Sequence, residues 1–159
     1  MKAQEYLMQI AHIESELAQT ERLIREIREE IKRITKRYTD LKSSWPDGQP
    51  HGTMTSDPTG EAGSTLADAL DESKKELEHL EAEETEKRKN LYMMKQNTIG
   101  VLSEIQNVKI NNVLYFKYVQ LMTDEEIAEE MGYDPRHIRR LHKRGLKIME
   151  TIIEGDEES

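Results

Sequence analysis

Between Ala3 and Leu41 the apolar side chains recur on a seven-residue spacing. Ala3, Ile10, Leu17, Ile24, Ile31 and Tyr38 hold one position of the repeat, and Tyr6, Ile13, Thr20, Ile27, Ile34 and Leu41 hold the other. Such a run, with neither proline nor glycine, admits little besides a long helix whose apolar stripe must be covered by another helix. Thr20 is the one polar residue on the stripe. A second, weaker run follows, in which Leu70, Leu77, Glu84, Leu91, Thr98 and Ile105 alternate with Leu66, Ser73, Leu80, Lys87, Met94, Val101 and Val108.

Between the two runs lies SSWPDGQPHGTMTSDPTGEAGS, residues 43–64, which holds all but one of the prolines and half of the glycines. That composition is expected to form a flexible connector, with Trp45 packing back on a helix end. Folding back about it would set Leu41 near Leu66, so that facing residue numbers sum to about 107. Thr20 then falls opposite Lys87, while Arg22, Arg25, Lys32 and Lys36 fall near Glu86, Glu83, Glu76 and Glu72. Polar layer and charges select the same register, and Thr20, Glu84 and Lys87 are expected to set that register rather than to do chemistry. Each arm would be roughly 60 Å long at 1.5 Å per residue. The pairing can be made within one chain or between two.

Low aromatic content with 35% charged residues argues against one large globular core, and elongated helices rather than a sandwich are expected. The chain has no cysteine, so a disulfide framework and cysteine-ligated metal centres are excluded. No apolar run approaches the length of a membrane span, and MKAQEYLMQIAHIESEL carries glutamates too early for a signal peptide. A cytoplasmic location is therefore expected.

The formal charge is -9, which counts against a polyanionic partner until its distribution is considered. In TDEEIAEEMGYDPRHIRRLHKRGLK, residues 123–147, six acids stand directly before six bases. Thr123 and Glu126 form a capping-box pair, with Asp124 and Glu125 at the positive end of the helix dipole. The helix they start should run through Ile127, Ala128 and Met131 and stop at Gly132. Asp134 then caps a second helix with Pro135 at its first position, where a missing N–H costs nothing.

Two short helices, a turn of about three residues containing glycine, and a small residue on the first helix match the helix-turn-helix design. Ile127, Met131, Tyr133, Ile138 and Leu141 supply its apolar contacts, and Ala128 marks the close approach. In that design the second helix, about residues 135–148, enters the major groove. Arg136, Arg139, Arg140 and Lys143 lie on its N-terminal half, where arginines pair with guanine edges or hold phosphates. Arg144 and Lys147 are placed for the DNA backbone, and His137 faces the groove or is partly packed, as does His142. The two histidines are five residues apart, which is not the spacing of a helical metal pair, and no metal or cofactor site is expected.

On these residues VLYFKYVQLMTDEEIAEEMGYDPRHIRRLHKRGLKIM, residues 113–149, resembles region 4 of sigma-70-type factors. The whole chain is similar in organisation to small phage and prophage proteins akin to RinA- and ArpU-type late-gene regulators. That resemblance implies a phage or prophage origin, a bacterial host cytoplasm, a transcriptional role, and double-stranded DNA and bacterial RNA polymerase as partners. A segment resembling region 2, with aromatic residues for strand melting, is missing, which argues against a complete sigma factor.

The expected fold class is all-α. A long antiparallel helical hairpin, a coiled coil, spans residues 1–106, with helices at about 2–42 and 65–106. A small sigma region 4-like helix-turn-helix domain spans 107–153, and a disordered acidic tail spans 154–159. The expected function is sequence-specific DNA binding by a transcription regulator that forms a homodimer or higher oligomer through the coiled coil. A DNA-recognition subunit of a phage packaging machine, and a module docking on RNA polymerase without touching DNA, are the alternatives. An enzyme is not expected, because no nucleophile and base pair, phosphate loop or metal-ligand spacing appears.

Overall fold

A computed structural model describes residues 2–43 and 58–158, with side chains over 2–41 and 65–157. The order of elements is α1 (Lys2–Ser43), α2 (Pro58–Leu102), α3 (Val108–Leu114), a π-helical turn (Tyr115–Val119), α4 (Asp124–Met131) and α5 (Pro135–Glu158). The described residues are thus all-helical, with no strand among them. None of these helices is long and apolar enough to cross a membrane.

The unbroken heptads of α1 fold as expected, to within a residue at its end. α2 differs at both ends. It begins at Pro58, seven residues before the expected start, because a proline in the first turn gives up no hydrogen bond. The rest of the expected connector, residues 44–57 with Trp45, lies outside the described residues. α2 stops at Leu102, four residues early. Glu104 and Ile105 donate backbone bonds to Val101 and Leu102, tightening the chain into a turn. Asn111 Nδ2 donates to the Leu102 carbonyl at 2.8 Å. Asn107 then caps α3, its side-chain oxygen accepting from the Lys109 and Ile110 N–H groups at 3.0 and 3.2 Å. Apolar spacing alone carried the second run through 105 and 108, since periodicity does not register a polar cap set between two apolar residues.

The described chain forms two compact units, Met1–Leu17 with Lys87–Ser159, and Ala18–Glu86. The first of these units contains residues from both sides of the expected boundary at 106/107. Ala3, Leu7 and Ile10 of α1 and Leu102 and Ile105 belong to one core with Ile110, Val113, Leu114, Ile127, Ile138 and Met149. At about 1.5–3 kcal/mol for each large apolar side chain fully buried, that shared core welds the start of α1 and the end of α2 to the C-terminal helices. Leu7 is fully buried although it lies off the heptad stripe. Here α1 is covered over a wider face than a two-helix seam requires.

Within the first unit Glu14 pairs with Lys95 at 3.2 Å. Within the second, Arg28 pairs with Glu81 at 3.2 Å, and Thr20, Ile24, Ile34 and Leu80 are buried. In each unit taken by itself the two residue numbers of the pair sum to 109, against about 107 in the expected pairing. Exposed pairs contribute at most about 1 kcal/mol, a minor term beside the apolar burial within each unit.

The expected disordered tail is corrected as well, because α5 continues through Glu158. Acids at a helix C-terminus oppose the dipole, which favours fraying. Two features counter this. Ile152 and Ile153 pack against the core, and Lys2 Nζ donates to Glu157 at 3.0 Å, a contact that raises the lysine's proton affinity.

Candidate nucleic-acid interface

α4 begins with the full capping box. Thr123 Oγ1 accepts from the Glu126 N–H at 3.2 Å, and the Glu126 carboxylate accepts from the Thr123 N–H at 3.3 Å. The helix ends at Gly132, whose φ of 72° is in the left-handed region that costs a side chain but not glycine. The Tyr133 N–H closes the turn on the Ala128 carbonyl at 2.9 Å. Asp134 restarts the chain, its carboxylate accepting from the Arg136 N–H at 2.8 Å. Three residues thus separate α4 from α5, and the two helices pack together through the buried Ile127, Ala128, Ile138 and Leu141.

α3 packs on α5 as well. Gly145 makes that approach possible, since a Cβ there would meet Leu114 Cδ1 at 2.9 Å and Ile110 Cγ2 at 3.0 Å. Its role was hidden inside a basic, helix-forming stretch. The available signal was a glycine in mid-helix one turn after Leu141, on the apolar side.

The opposite side of α5 carries the charge. At about 100° per residue, Arg136, Arg139, Arg140, Lys143, Arg144 and Lys147 fall within about 140° of the helix circumference. All six are exposed, and none makes an ion pair among the described residues. Like charges three and four apart repel, at about 0.2–0.5 kcal/mol per pair. The face is therefore an unneutralised positive strip held against its own repulsion by the packing beneath it. Two of the neighbouring acids are engaged elsewhere: Asp124 pairs with Lys117 at 2.6 Å and Glu126 closes the capping box.

His137 departs from the group. It is half-buried at the edge of the strip, with its ring edge-on to Tyr133 at 5.0 Å between centroids. The other face of the contact brings in Lys109, whose Nζ lies 5.5 Å from the Tyr133 ring centre. Lys109 is a cation that the sequence pattern did not connect with this site.

His142 is also half-buried, and its Nε2 is hydrogen-bonded to the Tyr118 hydroxyl. Burial, then Lys117, lowers the proton affinity of His142, with Asp124 acting in the opposite sense. The ring is therefore held in its neutral form beside Tyr118, whose own pKa is pushed up to about 12 by burial and by Asp124. Together these contacts tie the middle of α5 to the π-helical turn and to the start of α4. A π turn widens the helix by one residue, and here the wide turn delivers both Tyr118 and Val119 to the core.

No group of three or more His, Asp or Glu side chains suited to a metal ion occurs among the described residues. Compared with protein-family models, curated proteins and solved structures, the chain matches none.

Proposed function

We propose that this protein is a sequence-specific DNA-binding transcription regulator of phage or prophage type. In this proposal α4 and α5 form a helix-turn-helix of the sigma region 4 kind, carried on an antiparallel helical hairpin built from α1 and α2. One observation carries the proposal: six exposed bases without ion-pair partners share one face of α5, immediately after a capped three-residue turn. Such a strip has the charge, length and rigidity for the major groove, with Arg136, Arg139 and Arg140 at the end that reaches base edges. Arg144 and Lys147 serve the phosphates, and His137 reaches the groove edge beside Tyr133. The two cross-helix ion pairs support the hairpin. Host RNA polymerase is a second partner for the same module, and the host cytoplasm is where both partners are met.

The test is fluorescence-anisotropy titration of random and phage-promoter duplexes over a salt series, with wild type and an Arg136→Ala/Arg139→Ala/Arg140→Ala variant. Promoter-selective binding that weakens with salt and is lost in the variant is the expected result. Equal, negligible binding by both proteins overturns direct DNA recognition and leaves an acidic protein surface as the strip's partner.

A further inference from the structure

From Asn90 to Ser103 the only charged side chain is Lys95, and it is held by Glu14. In a chain with 35% charged residues this stretch of α2 should be buried all round. Instead Tyr92 is 66% exposed, Met93 53% and Ile99 37%. At about 100° per residue, these three fall with Gln96 and Gly100 within about 120° of the helix circumference, centred on Gln96. An apolar face of this kind on an otherwise highly charged surface marks a place where another molecule sits.

The order of residues along the face identifies that molecule. Tyr92 lies four residues before Gln96 and Gly100 four after it. Met93 lies three before and Ile99 three after. A two-fold axis through Gln96 would therefore bring Tyr92 of each copy to Gly100 of the other, and Met93 to Ile99. The large exposed ring meets the one position with no side chain, where nothing lies within 4 Å of an added Cβ. At the ends, Lys89 of one copy lands beside Ser103 and Glu104 of the other, so the charges also complement. Isologous contact requires this property, a single patch that is complementary to itself when reversed.

We infer that the outward face of α2 around Gln96 is a homodimer interface, in which two copies pack their second helices antiparallel. The interface is independent of whether α5 binds a duplex. It lies wholly within one compact unit, so its geometry needs no particular arrangement of the other.

Light scattering coupled to size-exclusion chromatography on the full chain tests it, with two kinds of variant. Gly100→Leu blocks the approach of Tyr92, yet raises helix propensity in open space, so the variant should keep the helical circular-dichroism signal of wild type while running as a monomer. Gln96→Cys places the only thiol of each chain on the two-fold axis, within disulfide reach. It should form a disulfide-linked dimer under mild oxidation, while Asn97→Cys, about 100° away around the helix, should not. A monomeric wild type at micromolar concentration overturns the inference. So does a dimer that survives Gly100→Leu, or one that cross-links equally through positions 96 and 97.

Discussion

Thr98 is fully buried with its hydroxyl lacking a hydrogen-bond partner. A buried hydroxyl left unpaired costs about 1–3 kcal/mol, and valine has nearly the same shape without it. Thr98→Val is therefore expected to stabilise the protein by about 1 kcal/mol, read as a higher urea midpoint with an unchanged slope. Gly145 gives the opposite case. Alanine gains about 1 kcal/mol of helix propensity, but its methyl would stand 2.9–3.0 Å from Leu114 and Ile110. Overpacking of a tight core costs about 1–3 kcal/mol, and these partners are branched side chains on a neighbouring helix with little room to retreat. Gly145→Ala should lower the midpoint, and a compensating Leu114→Ala should not add its full cost in the double variant, because the two changes share one space.

At the scale of elements, the local signals on α4 and the start of α5 were legible residue by residue. Thr123, Glu126, Gly132 and Asp134 act through bonds to backbone groups two to five residues away, and such short-range chemistry is written in the order of residues. Leu7, the length of α5 and the Tyr118–His142 bond were not legible. Each depends on an element distant in sequence, and a heptad count on α1 says nothing of what covers a third face. The basic strip was legible as composition, but its freedom from ion pairs was not, because that depends on where the acids of α4 point.

The Tyr118–His142 link makes a pH prediction. His142 binds its proton less readily in the folded chain than at its ordinary value of 6.5, so the unfolded chain takes up more protons as pH falls. Its contribution is complete above about pH 6.5 and is lost as pH falls from there toward the folded value. Tyr118 behaves in the reverse manner. Its folded value near 12 against an ordinary 10 means that stability declines as pH rises from 10 toward 12. Urea unfolding at about pH 7.5, 6.5 and 5.5 should show a decline for wild type that is shallower in His142→Gln. An equal decline in both would show that His142 does not link α5 to the π turn in a proton-dependent way.

For the whole molecule the decisive contrast lies between a net charge of -9 and a strip of six bases. Exposed charges farther than a Debye length, about 10 Å at 0.1 M salt, are screened from an approaching duplex. The acidic body therefore weakens attraction at very low salt and matters less as salt rises, while bases in contact with phosphates act at every ionic strength. Each such contact lowers the log-log salt slope by about 0.9. One strip engaging through all six bases gives a slope of about -5 above 0.1 M, and a dimer placing two strips on one duplex gives about -11. Gly100→Leu should then return the slope to the single-strip value without touching α5, whereas the triple arginine variant should remove about 3 from each strip's slope and leave the dimer intact. A steep wild-type slope unchanged by Gly100→Leu would place both strips' worth of contacts elsewhere on the chain. A shallow slope in wild type and both variants would mean that the positive face meets something other than a phosphate backbone.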